Sequence, residues 1–161
     1  MYNHQCLRND TIWYNNSEYS ITTLLKEPNN GHTLLFYWNM DNNEDLSFFE
    51  TWYQIPREYS DDNALQTIRS RAGLYTGMPL HEIVAWNGGD FEFAGFDWEG
   101  SGAILSKHIE RVVSSEIDFR LKLMEPGYST HPELLGEVKL NSSDNYLSGA
   151  PIVLDLMLYS P

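Results

Sequence analysis

Residues 117–124, IDFRLKLM, alternate without a break: Ile117, Phe119, Leu121 and Leu123 on one side, Asp118, Arg120 and Lys122 on the other. A period of two marks a strand with one face on a core and the other toward water. The C-terminal run IVLDLMLY, 152–159, repeats it, with Ile152, Leu154, Leu156 and Leu158 expected on one face. So does EYSITTLLK, 18–26, with Tyr19, Ile21, Thr23 and Leu25. The polar turn EPNNGH follows, where Asn30-Gly31 suits a tight hairpin. TLLFYWNM, 33–40, then reads as a more fully buried strand that pairs with 18–26. LSFFETWYQI, 46–55, is read as a third strand because aromatics dominate it, with a short helix as the alternative. EVKL, 137–140, is a further short strand.

One segment carries helical spacing. Leu80, Ile83 and Val84 fall on one face, Pro79 suits a first helical position, and Asn87-Gly88-Gly89 supplies a stop. Several alternating strands and one short helix, about 79–87, imply an α+β fold. It is a single domain over 1–161, mainly an antiparallel β-sheet with the helix packed on one face. A chain of 161 residues with 42% hydrophobic residues can hide enough surface for a core without staples. The start MYNHQCLRND, residues 1–10, is expected to be a flexible N-terminal segment.

Residues 73–102, GLYTGMPLHEIVAWNGGDFEFAGFDWEGSG, hold seven of the eleven glycines and three of the seven phenylalanines. The stretch is expected to feed the helix, end it, and fold back as a hairpin of the sheet. A glycine inside a strand, here Gly95, marks a bulge or a close backbone approach. Phe91 and Phe93 are expected in the core. Phe96 and Trp98 fall on the opposite face unless Gly95 resets the register. With Asp97 and Glu99 they form the candidate binding patch: Phe96, Asp97, Trp98 and Glu99.

The same stretch resembles a family of uncharacterised bacterial proteins, often exported or lipid-anchored. The shared positions are Gly73-Leu74, Gly77-Met78, Leu80, Glu82-Ile83, Asn87-Gly88, Phe91, Phe93, Gly95-Phe96, Trp98 and Gly100. The family has Trp-Asp-Tyr-Gly-Gly where this chain has Trp98-Glu99-Gly100-Ser101-Gly102. The resemblance implies an envelope or periplasmic location if an export signal has been removed, and supplies no activity to carry over. Without such a signal the expected location is cytoplasmic.

Reactive chemistry finds little support. His4, His32, His81, His108 and His131 show no metal-ligand spacing, and the lone Cys6 excludes an intrachain disulfide. Ser101 sits in half of a nucleophile elbow, and the glycines make neither a phosphate loop nor a dinucleotide fingerprint. Asp41–Asp45 imitates half of a calcium loop but has Leu46 where glycine is required. No catalytic residue, cofactor or metal is therefore expected.

The net charge of −13 argues against nucleic acid and anionic membrane as partners, because both are bound by Lys and Arg. It suits a basic partner. No apolar run reaches the length of a transmembrane helix. Three function classes follow. The first is a non-catalytic envelope module that binds a protein or peptide. The second is a cytoplasmic immunity-type inhibitor of a basic toxin. The third, least supported, is an enzyme of unknown reaction.

Overall fold

Six strands share one sheet in the computed structural model, which describes residues 7–13, 19–27, 31–39, 45–59, 64–105 and 117–160. They are β1 (Leu7–Trp13), β2 (Tyr19–Lys26), β3 (Thr33–Trp38), β4 (Leu46–Trp52), β6 (Ile117–Leu123) and β8 (Ile152–Tyr159). The order is β1-β2-β3-β4-β8-β6, and every neighbouring pair is antiparallel. The helix α1 (Leu80–Asn87), a second small sheet of β5 (Glu92–Ala94) and β7 (Lys139–Asn141), the short α2 (Gly127–Thr130) and two single 3-10 turns (Pro132–Leu134 and Asn145–Leu147) make up the rest of the regular structure among the described residues. The fold is α+β and mainly antiparallel, as the alternating runs require.

Strands β2 and β3 pair as expected, and 46–52 is a strand. Two expectations are corrected. Residues 7–10 are not a loose segment: they begin β1, which pairs along its length with β2. Residues 1–6, 41–44 and 106–116 lie outside the described residues, as does Asn30, so His4, Cys6 and His108 are among them. The return hairpin after α1 also belongs to the small sheet rather than the large one. Ala94 donates to Ala103 and Leu105 to Glu92, while β5 pairs with β7. Contact with the large sheet comes through Ala103 opposite Arg120 and the Leu121 amide donating to Gly102. Gly102 is needed there, at φ +66, because a Cβ would stand 1.9 Å from the Leu121 carbonyl oxygen.

Helix α1 begins one residue later than its proline suggests. Pro79 is extended and forms the N-cap, its carbonyl accepting from Glu82 and Ile83. Gly88 ends the helix in the left-handed conformation, as its position predicts. Leu80 and Ile83 are buried against β8 and β6 in the main core, with Phe91, Phe93, Phe119, Leu121, Leu123, Ile152 and Leu154. Each such side chain contributes roughly 1.5–3 kcal/mol by leaving water.

Strand β6 keeps its alternation; β8 does not. Arg120 pairs with Leu156 and Leu121 with Leu154, so Asp155 is the extra residue of a β-bulge. The bulge shifts parity. Met157, rather than Leu156 or Leu158, rejoins Ile152 and Leu154 in the main core. Leu156 turns to the other face and packs on a second cluster of Leu35, Tyr37 and Trp52. The sheet is therefore apolar on both faces, which explains why Thr22 of β2, expected outside, is fully buried.

Candidate functional site

The predicted patch at residues 96–99 does not form. Phe96 is fully buried in the main core, 6.1 Å ring to ring from Phe93. Its direction is set by backbone pairing: the Phe96 amide donates to Leu134 and its carbonyl accepts from Gly136. Trp98 is half-buried, its indole N–H donating to the Gly95 carbonyl at 3.0 Å. Asp97 and Glu99 are exposed, and Asp97 holds a positive φ of 65° with its amide bonded to Ser101 Oγ. Ser101 is thus a turn residue. Asp97 and Glu99 stay at the surface, while Phe96, one of the two aromatics expected on that exposed face, is in the core and Trp98 is half-buried.

The recesses lie elsewhere, on the sheet face opposite α1. The register Leu35↔Glu50 and Tyr37↔Phe48 puts Leu35, Tyr37, Phe48 and Glu50 on that face, and alternation along β4 adds Trp52. The segment after β4 folds back so that Tyr59 stacks on Trp52, with ring centroids 5.4 Å apart. Tyr37 and Phe48 stack at 4.2 Å. Two recesses, of about 410 and 420 Å³, flank Trp52 and Pro56, which line both.

The first recess is acidic. Asp10, Glu50 and Glu58 line it together with Tyr37 and Tyr59. Arg8 is the only cation along its wall among the described residues, and it is paired with Asp10 at 2.5 Å. Glu50 is half-buried and accepts from the Tyr37 hydroxyl at 2.8 Å. Burial pushes its carboxyl above the usual range, and the Glu58 charge adds to that; the Tyr37 hydrogen bond and Arg120 pull the other way. Tyr59 responds to the same neighbours. Burial raises its hydroxyl, and the charges of Glu58, Glu50 and Asp10 raise it further against Arg8.

The second recess is on balance cationic. Arg57, Lys122, Gln54 and Asp155 line it. The Lys122 ammonium donates to Gln54 Oε1 at 2.8 Å and stands 3.8 Å from Asp155 Oδ2. Asp155 Oδ1 accepts from the Gln54 amide at 3.2 Å. Burial raises the Asp155 carboxyl, while Lys122 and that amide oppose the shift. The bulge puts this carboxylate here, at the point where β8 exchanges one neighbour for another. Beyond it, Leu154 pairs with Gly77 and Met78 instead of β4.

None of the recess residues was singled out from the sequence as a site. Aromatics dominate 46–55, and that was the only signal; the partners of Trp52 are drawn from β1, β3, β6 and β8. Among the described residues no three His, Cys, Asp or Glu side chains gather as metal ligands would. No helix among them is long and apolar enough to cross a membrane. No family model matches the chain, and no match was found among curated proteins or solved structures.

Proposed function

We propose that the protein is a non-catalytic binding module for a basic segment of a protein or peptide, held on the sheet face opposite α1. The observation that carries this reading is the acidic recess beside Trp52. There Glu50 and Glu58 outnumber the one cation that lines the recess among the described residues, which Asp10 already pairs. A lysine or arginine side chain entering it gains the carboxylates and lays its aliphatic stem on Tyr59. The net charge of −13 steers such a partner toward the protein. An envelope setting is in keeping with the resemblance of residues 73–100 to exported bacterial proteins. An inhibitor of a basic toxin inside the cell would use the same chemistry, and the charge favours it equally. Fractionation of producing cells separates the two settings.

The test is a titration with fluorescein-labelled hexapeptides, one carrying a single arginine and one with glutamate in its place. Binding of the arginine peptide alone, weakened at least fivefold by Glu50→Gln and by raised salt, is expected. Equal binding of both peptides, or no effect of Glu50→Gln, overturns the reading.

A further inference from the structure

Strand β1 is the last strand of the large sheet, and the hydrogen bonds inside the sheet fix which groups its outer edge presents. The Thr33 amide and carbonyl both meet Gln66, on the β4 side, so Thr33 points away from β2. In an antiparallel strand a residue's N–H and C=O point the same way, and successive residues alternate. Phe36 therefore points to β2, opposite Thr23, and the neighbouring Thr22 points to β1, opposite Asp10. Side-chain bonds agree. The Thr22 hydroxyl donates to the Asp10 carbonyl at 3.3 Å, while the Thr11 amide turns the other way, onto the Asp10 carboxylate at 2.8 Å. Leu7, Asn9 and Thr11 thus carry their amides and carbonyls on the outer edge, where no further strand pairs among the described residues.

Charged side chains on an open edge restrict what can pair with it. Here they are Arg8 and Asp10, whose side chains are 65% and 49% exposed on the face of the acidic recess. A two-fold antiparallel contact between two copies is centred on one residue. Centred on Arg8 or on Asp10, it sets like charges directly opposite. Centred on Thr11, it sets Asp10 against Ile12 and no charges meet. Centred on Asn9, it sets Arg8 of each copy against Asp10 of the other. Those are non-hydrogen-bonded pairs, with Cα atoms about 4.5 Å apart and side chains at their closest. From this self-complementary pattern we infer that two copies of the chain join β1 to β1 about Asn9. The two Asn9 residues exchange amide-to-carbonyl bonds at the centre, and Leu7 does so with Thr11 on either side. The Thr11 amide passes from the Asp10 carboxylate to the second copy's Leu7 carbonyl, and that carboxylate gains the second copy's Arg8. Two arginines and two aspartates then alternate across the junction. The axis stands perpendicular to the sheet, so the two sheets run on edge to edge and both acidic recesses open on the same side. Each copy carries −13, and that repulsion keeps the contact weak and dependent on concentration. The pairing does not depend on what the recess binds.

The test is sedimentation equilibrium of the full chain, from micromolar to several hundred micromolar. The wild type is expected to pass from monomer to dimer over that range. Arg8→Asp alone and Asp10→Arg alone each set like charges opposite, and each should raise the dissociation constant at least tenfold. An equimolar mixture of these two variants should associate again, because each then meets its complement. The double variant, Arg8→Asp with Asp10→Arg, should associate as the wild type does. Recovery on mixing also shows that both single variants are folded. A wild type that stays monomeric at every concentration overturns the inference. So does a dimer that Arg8→Asp leaves intact, or a pair of folded single variants that fail to associate when mixed.

Discussion

The Tyr37 hydroxyl donates to Glu50 Oε1 at 2.8 Å across the β3–β4 pair, on a sheet face where burial disfavours the carboxylate's charge. The hydrogen bond and Arg120 recover part of that cost, but the carboxyl stays raised, so the ionised form is a burden on the folded state. The burden is complete above the raised folded value and is lifted as pH falls toward the ordinary glutamate value of about 4.3. Glu50→Gln keeps an acceptor for Tyr37 and removes the charge. Its unfolding midpoint is expected to equal or exceed wild type by a few degrees at pH 7, with the difference closing near pH 4. A variant less stable at pH 7 than at pH 4, relative to wild type, would refute the assignment.

Gly95 has a different kind of necessity. A Cβ there would lie 2.5 Å from Val138 Cγ2, 2.6 Å from the Gly136 carbonyl oxygen and 2.8 Å from that of Leu134. Two of these neighbours are backbone and cannot swing aside. Gly95→Val is expected to cost about 3 kcal/mol in urea denaturation. Gly89→Ala faces open space and should stay within about 0.5 kcal/mol of wild type.

Gln66 replaces a strand. Its side-chain oxygen accepts from the Thr33 amide at 2.6 Å, and its nitrogen donates to the Thr33 carbonyl and to Thr51 Oγ1, each at 3.0 Å. The carboxamide thus continues the β3 ladder past the last β4 pairing. Gln66→Ala removes the acceptor of the buried Thr33 amide and one of two donors to the Thr33 carbonyl, which keeps the Thr51 hydroxyl, and is expected to cost about 2 kcal/mol. Gln66→Glu should be no better, because a carboxylate offers no donor to the Thr33 carbonyl. Hydrogen exchange at the Thr33 amide should accelerate in both.

Phe96 distinguishes a core position from a contact surface. With its ring fully buried, Phe96→Ala is expected to lose about 3–5 kcal/mol of stability. Trp98→Ala, at a half-buried position, should lose less. Peptide binding by Trp98→Ala should match wild type, since the recesses lie on the other face of the sheet.

Most of the strands of the large sheet, the pairing of residues 18–26 with 33–40 and the glycine-capped helix could be read from the chain because period and punctuation are local properties; β1 and the other strand partners could not. IDFRLKLM alternates in the sequence and alternates in β6; Gly88 stops α1 where the text stops it. The direction of Phe96 could not be read, since it depends on Leu134 and Gly136, some forty residues away, capturing its backbone. The parity of β8 could not be read either. IVLDLMLY is regular as written, and the bulge at Asp155 arises from the change of neighbour between β4 and residues 77–79. The recesses follow the same logic. Arg8, Glu50, Trp52, Lys122 and Asp155 carry no shared spacing, and only the hydrogen-bonded order of the sheet brings charges so far apart in sequence onto one surface.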